Sequence, residues 1–132
     1  DGGFEIGCGD VSHTFSEGVF DITLTVTSNG CTSTRVFPNY ITVVPYPEAG
    51  FTLYPEKINI TNTSVTFNNH SENAETYSWY FDDGSPVSNA ESPEHVFPEV
   101  INGLYKIMMI AENGFGCTDT AYGTVAFEDL LI

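Results

Sequence analysis

The chain has 132 residues, with 18 Asp and Glu against 3 Lys and Arg, a formal net charge of −15 and a pI of about 4.1. So acidic a surface repels phosphate, which argues against nucleic acid, and no run of about 18 apolar residues is present to insert into a membrane. Hydrophobic residues at 41% and aromatics at 14% argue against disorder, while charged residues reach only 16%, so Thr, Ser, Asn and carboxylates make up the polar surface.

The chain opens Asp1-Gly2-Gly3 without Met or a signal-peptide pattern, which reads as a processed start or a piece of a longer protein. Val19 to Thr27 alternates: Phe20, Ile22, Leu24 and Val26 share one face, and Asp21, Thr23, Thr25 and Thr27 the other. That period of two predicts a strand with one wet face and a core under the apolar four. Ser28-Asn29-Gly30 predicts a turn, because Asn and Gly tolerate positive φ. Cys31–Phe37 and Asn39–Val44 follow as one bent strand or two short ones. Pro45-Tyr46-Pro47-Glu48 reads as a stiff joint at which a sheet stops, with Tyr46 and its prolines setting the angle between modules. Short strands are then expected at Ala49–Tyr54, Ile58–Ile60, Ser64–Phe67 and Thr76–Phe81. A polar loop follows from Asp82 to Pro93, and strands at Leu104–Ala111 and Thr118–Phe127 close the chain.

Three landmarks recur in the same order. His13-Thr14-Phe15 returns as His95-Val96-Phe97, Gly18-Val19-Phe20-Asp21-Ile22 as Gly103-Leu104-Tyr105-Lys106-Ile107, and Gly30-Cys31-Thr32 as Gly116-Cys117-Thr118. The offset drifts from 82 to 86 residues, as small loop insertions between matching strands require. The expected organisation is the closing half of a first module over 1–46 and a complete second module over 47–132. About 46 residues of strand do not cover both faces of a sheet. The opening strands of the first module are therefore expected upstream in a parent chain or in a partner.

Trp79-Tyr80-Phe81-Asp82-Asp83-Gly84, then His95-x-Phe97, then Gly103-Leu104-Tyr105-Lys106-Ile107 resembles the PKD (polycystic kidney disease) domain. Asn62-Thr63-Ser64-Val65-Thr66-Phe67 fits an earlier strand of that family. The family usually has Gly where Asp82 stands. The resemblance implies an all-β, immunoglobulin-like sandwich used as an extracellular spacer or interaction module. Gly116-Cys117-Thr118-Asp119-Thr120 is similar to the endings of PKD modules in large surface proteins of Bacteroidota, including gliding adhesins exported by type IX secretion. The tail Phe127 to Ile132 is similar to the segment that leads into their sorting domain. Asp119-Thr120-Ala121 resembles the O-glycosylation motif of that phylum, which makes Thr120 a candidate acceptor.

Trp79, Phe81, Tyr105, Ile107 and Met109 are expected in the core, since aromatics dominate sandwich interiors; a sugar-stacking Trp79 would need an exposed ring. Asp82 and Asp83 are weak candidates for Ca²⁺, because the EF-hand spacing is not met and turn carboxylates usually accept backbone N–H groups. No metal or other cofactor is otherwise implied. The repeated positions His13 and His95 imply a shared structural task. Cys8 and Cys31 are a candidate disulfide in an exported chain, leaving Cys117 as a buried thiol or bonded to a missing part. Sequons stand at Asn59, Asn62 and Asn69. Met108 and Ile110 replace Thr on a face expected to be wet, and so mark an interaction face.

No nucleophile elbow, zinc-binding helix or phosphate loop is present. The expected function is a non-catalytic, extracellular spacer and adhesion segment of a large secreted bacterial surface protein. Its partners are neighbouring modules, other surface proteins or glycans. The alternatives are an accessory domain of a secreted hydrolase, and a fibre subunit completed by a donated strand.

Overall fold

A computed structural model describes residues 3–4, 6–7, 9–98 and 103–128. They divide into two compact units, Asp1–Pro45 and Tyr46–Ile132. Tyr46 goes with the second unit, where its carbonyl accepts from Asn73 Nδ2 at 3.5 Å. All regular structure among the described residues is strand.

The first unit is one hairpin, β1 (Gly18–Ser28) and β2 (Cys31–Val43). Its tip holds Asn29 at φ 51 and Gly30 at φ 77. Two consecutive positive φ values give the turn a twist matched to the strands it joins. Pro38 interrupts β2 without breaking it. The register shifts between Phe20 and Ile22, where Asn39 at φ 50 donates its amide to Asp21 Oδ1 at 2.7 Å. A bulge is where a sheet tolerates a residue with no N–H. On the Thr face, Thr25 meets Thr34 at 3.3 Å and Thr27 meets Thr32 at 3.2 Å.

The opposite face departs from expectation. Phe20 and Ile22 are half-buried, but Leu24 and Val26 are each 54% exposed rather than core. Among the described residues of this unit the two-stranded sheet has no second strand layer over them.

The second unit comprises β3 (Phe51–Tyr54), β4 (Lys57–Ile58), β5 (Ser64–Asn69), β6 (Thr76–Tyr80), β7 (Glu94–Val96), β8 (Gly103–Glu112) and β9 (Thr118–Phe127). One sheet has the order β3-β5-β7 and the other β4-β9-β8-β6. Every pair is antiparallel except β4–β9. The two inner faces meet in one core. Val65 and Phe67 lie opposite Trp79, Ile107, Met109 and Val125, all at zero exposure, with Ile58, Phe81, Phe97, Tyr105 and Phe127 around them. Strict alternation along β8 puts Tyr105, Ile107, Met109 and Ala111 inside. Gly123 leaves room for Phe51, whose ring carbons would lie 3.0 Å from a Cβ there.

The loop after β6 folds back along that edge strand. Trp79 and Ser88 exchange backbone hydrogen bonds of 2.8 and 3.1 Å, and Trp79 Nε1 donates to Ala90 O at 2.9 Å. The ladder groups of β6 are thereby shielded from a foreign strand. Strand β7 was not among the expected strands. At three residues, bounded by Pro93 and Pro98, it is too short to show a period.

Candidate functional site

The chemistry-bearing side chains gather where β6 ends. Asp82 sits at φ 62 and Gly84 at φ 80. Asp82 therefore holds the left-handed conformation that explains the family's Gly at this position, and Asp is among the few side chains that tolerate it. Its Oδ2 accepts the Lys106 amide at 3.1 Å, tying the turn to β8.

Asp83 turns the other way. Its side chain is 2% exposed and meets His95 Nε2 through Oδ2 at 2.7 Å. Its Oδ1 accepts the Ser85 amide at 3.0 Å and the Ser85 hydroxyl. Burial pushes this carboxyl upward, but the hydrogen bonds from Ser85 and His95 outweigh it and hold Asp83 below its ordinary value. The His95 ring stacks on Phe81 with centroids 3.8 Å apart and stands edge-on to Phe97 at 4.7 Å. Phe97 continues to Tyr105 at 4.7 Å, and the Tyr105 hydroxyl donates to Pro98 O at 3.2 Å. Burial, followed by the charges of Asp83 and Asp82, raises the Tyr105 phenol.

Ser85, Asp83 and His95 are the residue types of a hydrolytic triad, but not in its order of contacts. A nucleophile must touch the base; here the Ser85 hydroxyl donates to the carboxylate, and the histidine lies on that carboxylate's far oxygen. The cluster locks the turn to β7. The Asp82 and Asp83 carboxylates diverge onto separate protein partners, and among the described residues no group of three or more His, Cys, Asp or Glu gathers to hold a metal.

The first unit repeats part of this arrangement. His13 stands edge-on to Phe15 at 4.6 Å, and Phe15 meets Phe20 at 5.1 Å. The series His13–Phe15–Phe20 thus reproduces His95–Phe97–Tyr105 in kind and spacing.

The remaining candidates are dispersed. Met108 and Ile110 are half-buried on the outer face of β8, and Thr120 is half-buried opposite Ile110. Cys31 is exposed with a free thiol; its candidate partner Cys8 lies outside the described residues. Cys31 closes the hairpin tip, 11 residues of strand or about 35 Å beyond Gly18. Cys117 is a half-buried free thiol. The sequon residue Asn59 spends its carbonyl on Thr61 and Asn62. The tail from Asp129 to Ile132 also lies outside the described residues.

Two features went unread in the sequence. Asp119 Oδ2 accepts the Ala49 amide at 2.8 Å, pinning the start of the second unit to β9. Tyr80 and Tyr122 stand exposed on either side of Met108. Alternation against Trp79 places Tyr80 outside; nothing local distinguishes Tyr122 from a core aromatic.

The fold and the structural use of its carboxylates and histidine define a class: an immunoglobulin-like sandwich module. The PKD domain family matches residues 42–127, and the chain belongs to it. Among solved structures, the PKD1 domain of Vibrio anguillarum Epp is similar at 25% identity and TM-score 0.53, over 66% of this chain and 99% of that one. The PKD1 domain of the Vibrio cholerae metalloprotease PrtV is similar at 25% identity and TM-score 0.53, over 64% and 99%. A structure from work on promiscuous carbohydrate-binding modules of the β-sandwich superfamily is similar at 25% identity and TM-score 0.56, over 65% of this chain and 36% of that one. No curated protein matches. Among the described residues no helix is long and apolar enough to cross a membrane.

Proposed function

We propose that this chain is a non-catalytic, extracellular spacer and adhesion segment of a large secreted surface protein, of the gliding-adhesin kind exported by type IX secretion in Bacteroidota. The observation that carries this reading is the repeated aromatic series. His13–Phe15–Phe20 on the β1–β2 hairpin matches His95–Phe97–Tyr105 of the complete sandwich, which supports two PKD-like modules in tandem, the first seen through its closing hairpin. Tandem sandwiches joined at Pro45-Tyr46-Pro47 act as a semi-rigid chain of beads that holds a binding end away from the cell. The Asp83–His95 pair, spent on holding a turn, supports the absence of catalysis. The deciding experiment is to read the parent gene. Further PKD modules and a terminal sorting domain are expected; a catalytic domain on the same chain would overturn the reading.

The similarity to a metalloprotease's PKD domain favours a second reading, an accessory module of a secreted hydrolase. A third, a fibre subunit, is favoured by the exposed Leu24 and Val26 if a neighbouring chain supplies the strands that cover them.

A further inference from the structure

The outer face of the four-stranded sheet carries a row set by the ladder. Tyr80 on β6 pairs with Met108 on β8, and Met108 pairs with Tyr122 on β9. Residues directly opposite share a face, so the two tyrosines flank Met108 in one line across the strands. Tyr80 is 38% exposed and Tyr122 75%, with Met108 lower between them. Their attachment points are two strand spacings apart, about 10 Å. Thr120 flanks the row on one side, and Lys106 with Thr124 on the other.

Charge narrows what this row can hold. The chain carries −15, yet the outward side chains from Leu104 to Ile110 on β8, with their partners Ser78, Tyr80 and Thr120 to Ala126, include no carboxylate. Lys106 is the one cation among them. Asp82, at the margin, is occupied by the Lys106 amide. A polycation would be drawn to the acidic remainder of the surface, and a polyanion would meet the repulsion of the whole molecule. An uncharged ligand suffers neither penalty. Hydroxyls of Ser78, Thr120 and Thr124 and the Lys106 ammonium are interleaved with Leu104, Met108 and Ile110 on this face, a more polar mixture than the core of a protein interface.

We propose that Tyr80, Met108 and Tyr122 form a binding platform for a neutral, extended β-1,4-linked glycan. In such a chain alternate sugars present the same apolar C–H face, and their repeat is close to two strand spacings. Each tyrosine ring stacks on one of a pair of alternate sugars, the intervening sugar crosses Met108, and Lys106, Thr120 and Thr124 bond to the hydroxyl edges. The sheet twist turns the directions of β6 and β9 by about 45° relative to each other, which side-chain rotation of the two tyrosines can accommodate.

This deepens the adhesive half of the proposed function and rests on it. The test is a titration of the 132-residue protein with cellohexaose and β-1,4-mannohexaose, read from backbone amide NMR signals. Saturable shifts centred on Tyr80, Met108 and Tyr122 are expected with at least one of them. Tyr122→Ala or Tyr80→Ala should weaken binding at least tenfold, Tyr122→Phe should retain it, and unchanged Trp79 emission reports an intact fold. No saturable shift with either oligosaccharide would overturn the proposal, as would binding that survives in the Tyr80→Ala/Tyr122→Ala double variant. A response to hexagalacturonate alone, or concentration-dependent self-association through this face, would assign it instead to an anionic glycan or a second copy. The spacer reading depends on the parent gene, so either can fail without the other.

Discussion

Replacing Asp83 by Ala removes the acceptor shared by Ser85 and His95. The carboxylate is almost fully enclosed and accepts three hydrogen bonds, one from a half-buried histidine. A hydrogen bond to a charged group contributes about 1.5–3 kcal/mol, and breaking a buried pair costs about 3–5 kcal/mol. Ser85 is exposed and water can reach part of His95, so the loss is set near the lower bound, about 3 kcal/mol. For a module of this size that corresponds to a fall in Tm of about 15 °C. The sole tryptophan, Trp79, is completely buried in the second unit, so urea unfolding followed by its emission reports this unit alone. The effect should depend on pH. The folded carboxyl titrates below its ordinary value, so its stabilisation is complete above the unfolded Asp range, near pH 4, and is lost as pH falls through the lower folded value. The gap between wild type and Asp83→Ala should be full at pH 7 and shrink below pH 4. A gap under 1 kcal/mol at pH 7, or one unchanged down to pH 2, would refute the reasoning.

Other substitutions probe separate parts of the fold. Gly123→Ala should cost about 1–3 kcal/mol in the same urea assay, because its Cβ would press on the Phe51 ring and Leu53. Asp82→Gly should change stability by less than about 1 kcal/mol, since relief at positive φ offsets the lost bond to Lys106, whereas Asp82→Ala should lose about 1–2 kcal/mol through both effects. Leu24→Ser and Val26→Ser should stay within about 0.5 kcal/mol in the isolated chain, by thermal circular dichroism. If a second layer covers this face in a longer chain, as the proposed tandem modules require, each should become strongly destabilising there.

The strands of the second unit were legible because each buried face repeats every second residue. Tyr105, Ile107 and Met109 could be assigned inward from period alone. The same rule misplaced Leu24 and Val26, since alternation says which face is apolar but not whether a layer exists to cover it. The Asp83–His95 contact joins residues 12 apart across a polar loop, and no local pattern encodes it. Asp119 and Ala49, 70 residues apart, are a stronger case. At Asp82 the sequence identified an unusual residue and only the backbone supplied its conformation. The Tyr80–Met108–Tyr122 row needed the register of three strands, which depends on every loop length between them.

The parallel pairing of β4 with β9 has a mechanical consequence. Lys57 and Ile58 lie beside Ala126 and Phe127, joined by 2.9 Å bonds from Ala126 N to Glu56 O and from Glu128 N to Ile58 O, with Lys57 and Glu128 3.2 Å apart alongside. Tension carried along the polypeptide would enter the sandwich near Ala49 and leave after β9. It would slide β4 and β9 past each other along their length, so these bonds would share the load together instead of opening one by one. A short clasp at the exit of the last strand is therefore placed to resist load applied there, and weakening it, as in Lys57→Ala, should lower the unfolding force in single-molecule pulling.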